Sequence, residues 1–208
     1  MIPVREVSKW LHSILHFLLP ILCSLILYSM INNIQELDKV IRKRKMIRKF
    51  DQTREVTEKI INKLIDNASR APSAGHTQVQ EFIVIKDPSI KRKLRLASVN
   101  QGQVEEAPVL IVVCSNTSRS VGRYGERGKE FYSIIDGAFA SMLILLTATN
   151  EGLGASFVGA FNDKEVSEIL DLPEHVRPIG IIALGYPREN PAKLERIQRD
   201  RLVHYERW

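Results

Sequence analysis

The chain has 208 residues, 44% of them hydrophobic and 26% charged, with a net charge of +6 and 11 glycines. That is enough for one domain with a real core, and it excludes a disordered, collagen-like or repeat protein. The basic balance invites a nucleic-acid partner, but Asp and Glu are mixed through most segments. The charge is dense only in Arg42–Lys49 and in Lys193–Arg201. The two cysteines, Cys23 and Cys114, are far apart, which excludes a disulfide framework and a cysteine zinc site. Cys114 ends an apolar run and reads as a buried small hydrophobe.

In chain order, Trp10–Ile31 comes first, apolar and uncharged, preceded by Arg5 and Lys9. Its length is close to the roughly 20 residues of a membrane span. Three readings stand for it: an N-terminal anchor, a helix packed on the protein or a partner, or a start placed too early with Met30 as the true beginning. If it spans a bilayer, the basic residues after it put the catalytic part in the cytoplasm. Residues 1–29 are accordingly set apart from a domain over residues 30–208.

Ile31, Ile34, Leu37, Val40 and Ile41 recur at helical spacing and predict a first helix over Ile31–Lys45. A second helix starts near Thr57, an N-cap residue, with Ile60, Ile61, Leu64, Ile65 and Ala68 on one face. Pro72, Ser73 and Gly75 then predict a loop over Ala71–Gln78. Glu81–Ile85 reads as a strand, and Asp87-Pro88-Ser89 opens a basic helix to about Ala97. Pro108–Cys114 is a buried strand by its unbroken Val and Ile content. Ser115–Lys129, polar and with three glycines, reads as a mobile loop. Phe131–Glu151 predicts a long central helix, Ala155–Val158 a short strand and Asp163–Leu170 a capped helix. Pro178–Leu184 is a second buried strand, and Val203–Tyr205 a candidate last strand in a polar tail. Such a tail cannot build a core of its own, and would be ordered on another surface, such as a partner's sheet. The sum is a mixed α/β sandwich of a few strands covered by helices.

Three segments carry candidate chemistry. Arg44, Lys45 and Arg48 suit phosphate oxygens, although cations at a helix end also cap it. Ala71–Gln78 offers small residues that let the backbone approach a flat ring, with His76 and Gln78 as donors and acceptors. Gly152–Phe161 contains Gly159 and Ala160, which leave backbone N–H groups accessible. No nucleophile–base pair, Walker loop or dinucleotide fingerprint is present.

These segments, in this order, resemble the FMN-dependent nitroreductase family over about Met30–Trp208. The opening motif, Arg-Arg-Ser-hydrophobic-Arg-x-aromatic in the family, stands as Arg44-Lys45-Met46-Ile47-Arg48-Lys49-Phe50. The family loop Pro-Ser-Ala/Ser-x-Asn-x-Gln-Pro-Trp stands as Pro72-Ser73-Ala74-Gly75-His76-Thr77-Gln78-Val79-Gln80, with His76 at the asparagine and the Pro-Trp pair absent. Arg123–Gly128 with Asp136-Gly137-Ala138, then Val158–Phe161, Leu172–Pro178 and Leu184–Pro187, continue the likeness. The resemblance implies FMN, with Arg44, Lys45, Met46 and Arg48 at its phosphate and part of the ring. Pro72, Ser73, Ala74, His76 and Gln78 would lie at the ring edge, Val158, Gly159 and Ala160 over flavin N5, and Arg196 or, more weakly, Lys193 would return to the phosphate.

The fold it implies is an α+β nitroreductase-like sandwich, a mixed and mainly antiparallel sheet flanked by helices, with C-terminal arms exchanged in a homodimer. The implied reaction passes reducing equivalents from NADH or NADPH to a nitro compound, quinone or flavin, in a cytoplasmic protein that binds no nucleic acid, uses no metal and has no catalytic side chain of its own. Two alternatives remain: a specialised flavin enzyme of the same fold, such as a dehalogenase or peptide-heterocycle oxidase, and a non-enzymatic basic module for membrane or nucleic acid.

Overall fold

The structure, a computed structural model, describes residues 37–208, of which 37–43 are helical. The expected anchor or packing segment, Cys23 and the first part of the first predicted helix lie outside the described residues. The chain separates into two units with the boundary between Lys43 and Arg44. All that follows concerns the second.

Its centre is a five-stranded sheet. The strands are β1 (Phe50–Asp51), β2 (Gln80–Ile85), β3 (Val109–Asn116), β4 (Gly154–Val158) and β5 (Val176–Pro187). The order is β1-β5-β3-β2, with β4 also paired to β5, and every ladder is antiparallel. One isolated parallel bridge, Met46 to Ala155, makes the arrangement mixed. The helices are α1 (Glu58–Ala68), α2 (Pro88–Ala97), α3 (Gly102–Glu106), α4 (Ser118–Arg127), α5 (Ser133–Asn150) and α6 (Asp163–Ile169).

The period-2 alternation of strands sorts the core into two layers. Val109, Ile111, Val113, Ile182 and Leu184 face α1 and α5, packing with Ile61, Leu64, Ala140, Ile144 and Ala148. Leu110, Val112, Cys114, Ile181 and Ala183 face the other way, onto Leu94 of α2, Val104 of α3 and Val166 of α6. Both faces of β3 and β5 are buried, which is why these segments read as unbroken apolar runs. The 118–150 stretch contains an 18-residue segment apolar enough to cross a membrane, but half of that segment is buried within this fold, the pattern of a core helix. Burial pushes the Cys114 thiol up to about 12. In the native protein Cys114 is therefore expected to resist alkylation at pH 8 and to react fully in guanidinium, as peptide mapping by mass spectrometry will show.

Most predicted elements stand within a few residues of their expected places. Thr57 occupies the N-cap of α1 without a side-chain bond, whereas Asp87 accepts from Ile90 N–H and Asn162 from Lys164 and Glu165 N–H. α3 was not anticipated, being a single short turn of helix with two buried residues.

Two expectations need correction. Ser115–Lys129 is not a mobile loop: it completes β3, forms α4 and enters a π-turn over Gly128–Tyr132. Thr117 fastens α4 by giving both its N–H and its hydroxyl to the His175 carbonyl, at 2.8 and 2.9 Å. Of the three glycines that suggested a loop, only Gly125 uses a positive φ, 55°. The second correction is Val203–Tyr205, which forms no strand. The one regular turn of the tail is Arg199–Arg201, and 192–208 is exposed throughout. A strand needs a neighbour for its ladder, and this chain offers the tail none among the described residues.

Candidate functional site

The basic segment lies in extended backbone beside the sheet, not on a helix face as predicted, because the helical residues end at 43. Ile47 N–H donates to the Ala155 carbonyl at 2.9 Å, and the Ile47 side chain is buried against β4 and β5. Met46 packs on the opposite layer and bridges to Ala155. An apolar residue at each of positions 46 and 47 is thus what draws Arg44, Lys45 and Arg48 to the edge of β4.

The three cations are not equivalent. Lys45 Nζ donates to Asn190 Oδ1 at 2.8 Å and to the Pro191 carbonyl at 2.7 Å, so it is occupied by the chain's own tail. Arg44 is half-buried, and its buried Nη1 has no hydrogen-bond partner among the described residues. The Arg48 side chain is exposed, while its N–H and that of Lys49 donate to Glu189 Oε1 at 2.5 and 3.1 Å. These N–H groups, Arg48's first, hold the Glu189 carboxyl below its ordinary range. Glu189 and Asn190 organise the segment from the far end of the chain and carry no local sequence signal.

The loop after α1 contains a short 3-10 turn, Ala74–His76. Pro72 is exposed and Ser73 half-buried. Ser73 Oγ accepts Gln78 N–H at 2.9 Å, and Ala74 N–H reaches both oxygens of Asp136 at 3.1 and 3.2 Å. From α4, Arg123 donates to the Gly75 carbonyl at 2.9 Å and Arg119 to the Gln78 carbonyl at 2.7 Å. Gly75 has φ 54°, and a Cβ there would fall 2.3 Å from the Tyr124 hydroxyl. Helix α4 thus braces this loop, which the sequence reading left unconnected to it.

Asp136 is buried near the start of α5, and burial raises its carboxyl's pKa, with the Ala74 N–H opposing. A carboxyl raised above its unfolded value stabilises the fold at low pH, and that contribution is lost as pH rises through the folded value. Asp136→Asn should therefore gain stability relative to the native chain between pH 3 and pH 7. Urea midpoints at pH 3, 5 and 7 test this, and a difference that stays flat contradicts it.

Val158 ends β4 buried, opposite Ile181. Gly159 and Ala160 follow it exposed, with the Ala160 carbonyl accepting from Gln101 Nε2 at 3.3 Å. Arg196 and Lys193 are exposed in the tail and make no hydrogen bond or ion pair among the described residues. Among those residues no group of three or more His, Cys, Asp or Glu could hold a metal ion.

The structure therefore joins the basic segment to β4 directly, gathers His76, Gln78, Ser73 and Ala74 in one braced loop, and leaves Arg196 apart. Comparison with known proteins fits this order of segments. Over 174 residues, covering 82% of this chain and 86% of the relative, it is 35% identical to a Methanothermobacter thermautotrophicus protein whose name pairs NADH dehydrogenase with NAD(P)H nitroreductase. It is 28% identical over 162 residues to FMN reductase (NADPH) of Bacillus subtilis, covering 72% of this chain and 65% of that one. The solved NfrA1 nitroreductase from B. subtilis superposes with a TM-score of 0.74 at 26% identity, covering 82% of this chain and 74% of that one. The model of the nitroreductase family matches residues 41–106 and 96–186, which include the basic segment, the braced loop and β4. On these grounds the chain belongs to the nitroreductase family.

Proposed function

We infer that this nitroreductase-family enzyme, an NAD(P)H-dependent oxidoreductase with FMN as its cofactor, passes reducing equivalents to a nitro compound, a quinone or a free flavin. The observation that carries the assignment of residues is the half-buried Arg44, whose buried Nη1 has no hydrogen-bond partner among the described residues. A buried guanidinium nitrogen without an acceptor is costly, and a phosphate oxygen would satisfy it.

In this reading Arg44 and Arg48 hold the FMN phosphate. Lys45 acts mainly by holding the tail, and Met46 supplies backbone contacts in place of a serine hydroxyl. Pro72, Ser73, Ala74, His76 and Gln78 form the ring edge, and the exposed backbone of Gly159 and Ala160, carried by Val158, lies over the reactive ring. The flavin, when bound, supplies the hydride chemistry. The protein's part is to place the ring, fix its polar edge and surround its phosphate with positive charge. Arg196 has no such support from its position in a single chain and would need a partner subunit to bring it near.

The second subunit has its own argument. Ile135, Phe139, Met142 and Leu146 form a stripe along α5, with Phe139 and Met142 about half exposed. The tail exposes Leu194, Ile197, Leu202, Tyr205 and Trp208. Contiguous apolar surface of this kind marks an interface, and we propose a homodimer with exchanged arms. Sedimentation at micromolar concentration should give twice the chain mass, and a monomer would remove the proposal. Family membership sets aside the reading as a non-enzymatic binding module. We place the catalytic domain in the cytoplasm, where NAD(P)H is supplied.

The direct test is the visible spectrum of the purified protein, anaerobically, before and after NADH or NADPH. A flavin spectrum that bleaches supports the reading. A spectrum that persists points to a specialised flavin enzyme with another reductant, and no chromophore after incubation with FMN refutes the cofactor site.

A further inference from the structure

The braced loop contains a conformation that its role as a connector does not require. Gly75, His76 and Gln78 all occupy the left-handed region, with φ of 54°, 60° and 48°. For the two that are not glycine this costs about 1–2 kcal/mol each. The bonds from Asp136, Ser73, Arg119 and Arg123 hold the loop in that state. The consequence is that the side chains of His76 and Gln78 meet on the exposed side of the loop, Nε2 to Nε2 at 2.9 Å.

That contact couples the carboxamide to the proton of the ring. A carboxamide nitrogen donates, so in this arrangement the ring Nε2 accepts, as it does in the neutral tautomer with its proton on Nδ1. When the ring gains a proton, two donors face each other. The bond then survives only if the Gln78 carboxamide turns to present its oxygen to the ring. What Gln78 shows outward changes from a carbonyl acceptor to an NH2 donor.

We propose that His76 and Gln78 form a proton-controlled recognition pair for the acceptor-rich edge of the isoalloxazine ring. This inference rests on the FMN reading above. Protonation makes the pair donor-rich and adds a positive charge, so the flavin binds more tightly. Histidine titrates between pH 5 and 8, within the working range of a cell. The charged neighbours leave this proton uncompensated. On α4, Arg119 is paired with Glu81 of β2 and with the Gln78 carbonyl, Arg123 is bound to the Gly75 carbonyl, and Tyr124 lies over Gly75. On α5, Asp136 is directed to Ala74 N–H. Among the described residues no carboxylate pairs with His76.

The test is the FMN dissociation constant of the full chain from pH 5 to 9, by flavin fluorescence quenching, for the native protein and for His76→Asn. Asparagine tolerates the left-handed backbone, so the variant keeps the loop. Native affinity should rise about tenfold as pH falls, as for one added hydrogen bond to a charged group. His76→Asn should show only the shallow change due to the flavin phosphate. In the flavin-free protein, the Gln78 side-chain amide resonances should shift with the same midpoint as the His76 ring protons. Parallel affinity profiles in the two proteins overturn the recognition role, and Gln78 resonances indifferent to pH overturn the switch. If neither protein binds FMN at any pH, the cofactor reading and the recognition role fall together, while the resonance titration still decides the switch.

Discussion

Replacing Arg44 and Arg48 together by methionine is expected to weaken FMN binding by about a hundredfold or more, the loss of two hydrogen bonds to a charged phosphate at about 1.5–3 kcal/mol each. Methionine is the right replacement because the Arg44 stem is half-buried, and truncation to alanine would also remove packing. The fold should tolerate the change. The contacts that fix this segment are Ile47 N–H to Ala155 and the backbone of Arg48 and Lys49 to Glu189, and none involves a guanidinium. Lys45→Met is the internal control. Its ammonium is already bonded to Asn190 and Pro191, so its removal should loosen the tail and change flavin affinity much less. Fluorimetric titration with FMN, alongside thermal melts without it, separates the two effects. A double variant that purifies with undiminished flavin would refute the phosphate assignment.

How far the sequence foretells this site depends on the range of the interaction. The strands were legible because β3 and β5 are apolar on both faces, and α1, α2, α5 and α6 because their caps or periodicity are local. α4 was missed because its stability is not local. Only Ser120 among its residues is buried, and what holds it are Thr117 on His175 and two arginines on the loop at Gly75 and Gln78. Three glycines in a polar stretch look the same whether the chain wanders or packs closely. The candidate residues were legible as segments, through the basic motif and the Pro-Ser loop. Their unequal roles were not, because Lys45 is occupied by residues about 145 positions away in sequence and the loop by a carboxylate 62 away. No spacing rule reaches so far. Within the described unit 192–208 is exposed throughout, and the surface expected to order it is the one proposed for a second copy.

Gly180→Ala is expected to destabilise the fold by about 2–3 kcal/mol, lowering Tm by roughly 5–10 °C in a domain of this size. The reason is a close approach, not backbone freedom. β3 and β5 slip register between Val113 and Cys114, paired with Gly180 and Pro178 respectively, so Ile179 is the extra residue of a bulge. Beside that bulge the ring of Phe157, from β4, lies over Gly180, and a Cβ there would stand 2.2 Å from the ring. The ring is hindered from stepping aside because it packs on the α1–α5 core layer. Moving it shifts the chain at Gly159 and Ala160, the backbone proposed to cover the flavin, so FMN affinity should fall along with stability. Phe157→Leu in the same chain opens the space and should recover part of both losses, a coupling that a double-mutant cycle measures directly. If the two substitutions prove additive in stability, the Phe157–Gly180 contact is not what holds β4 against β5, and the link from the bulge to the site is lost with it.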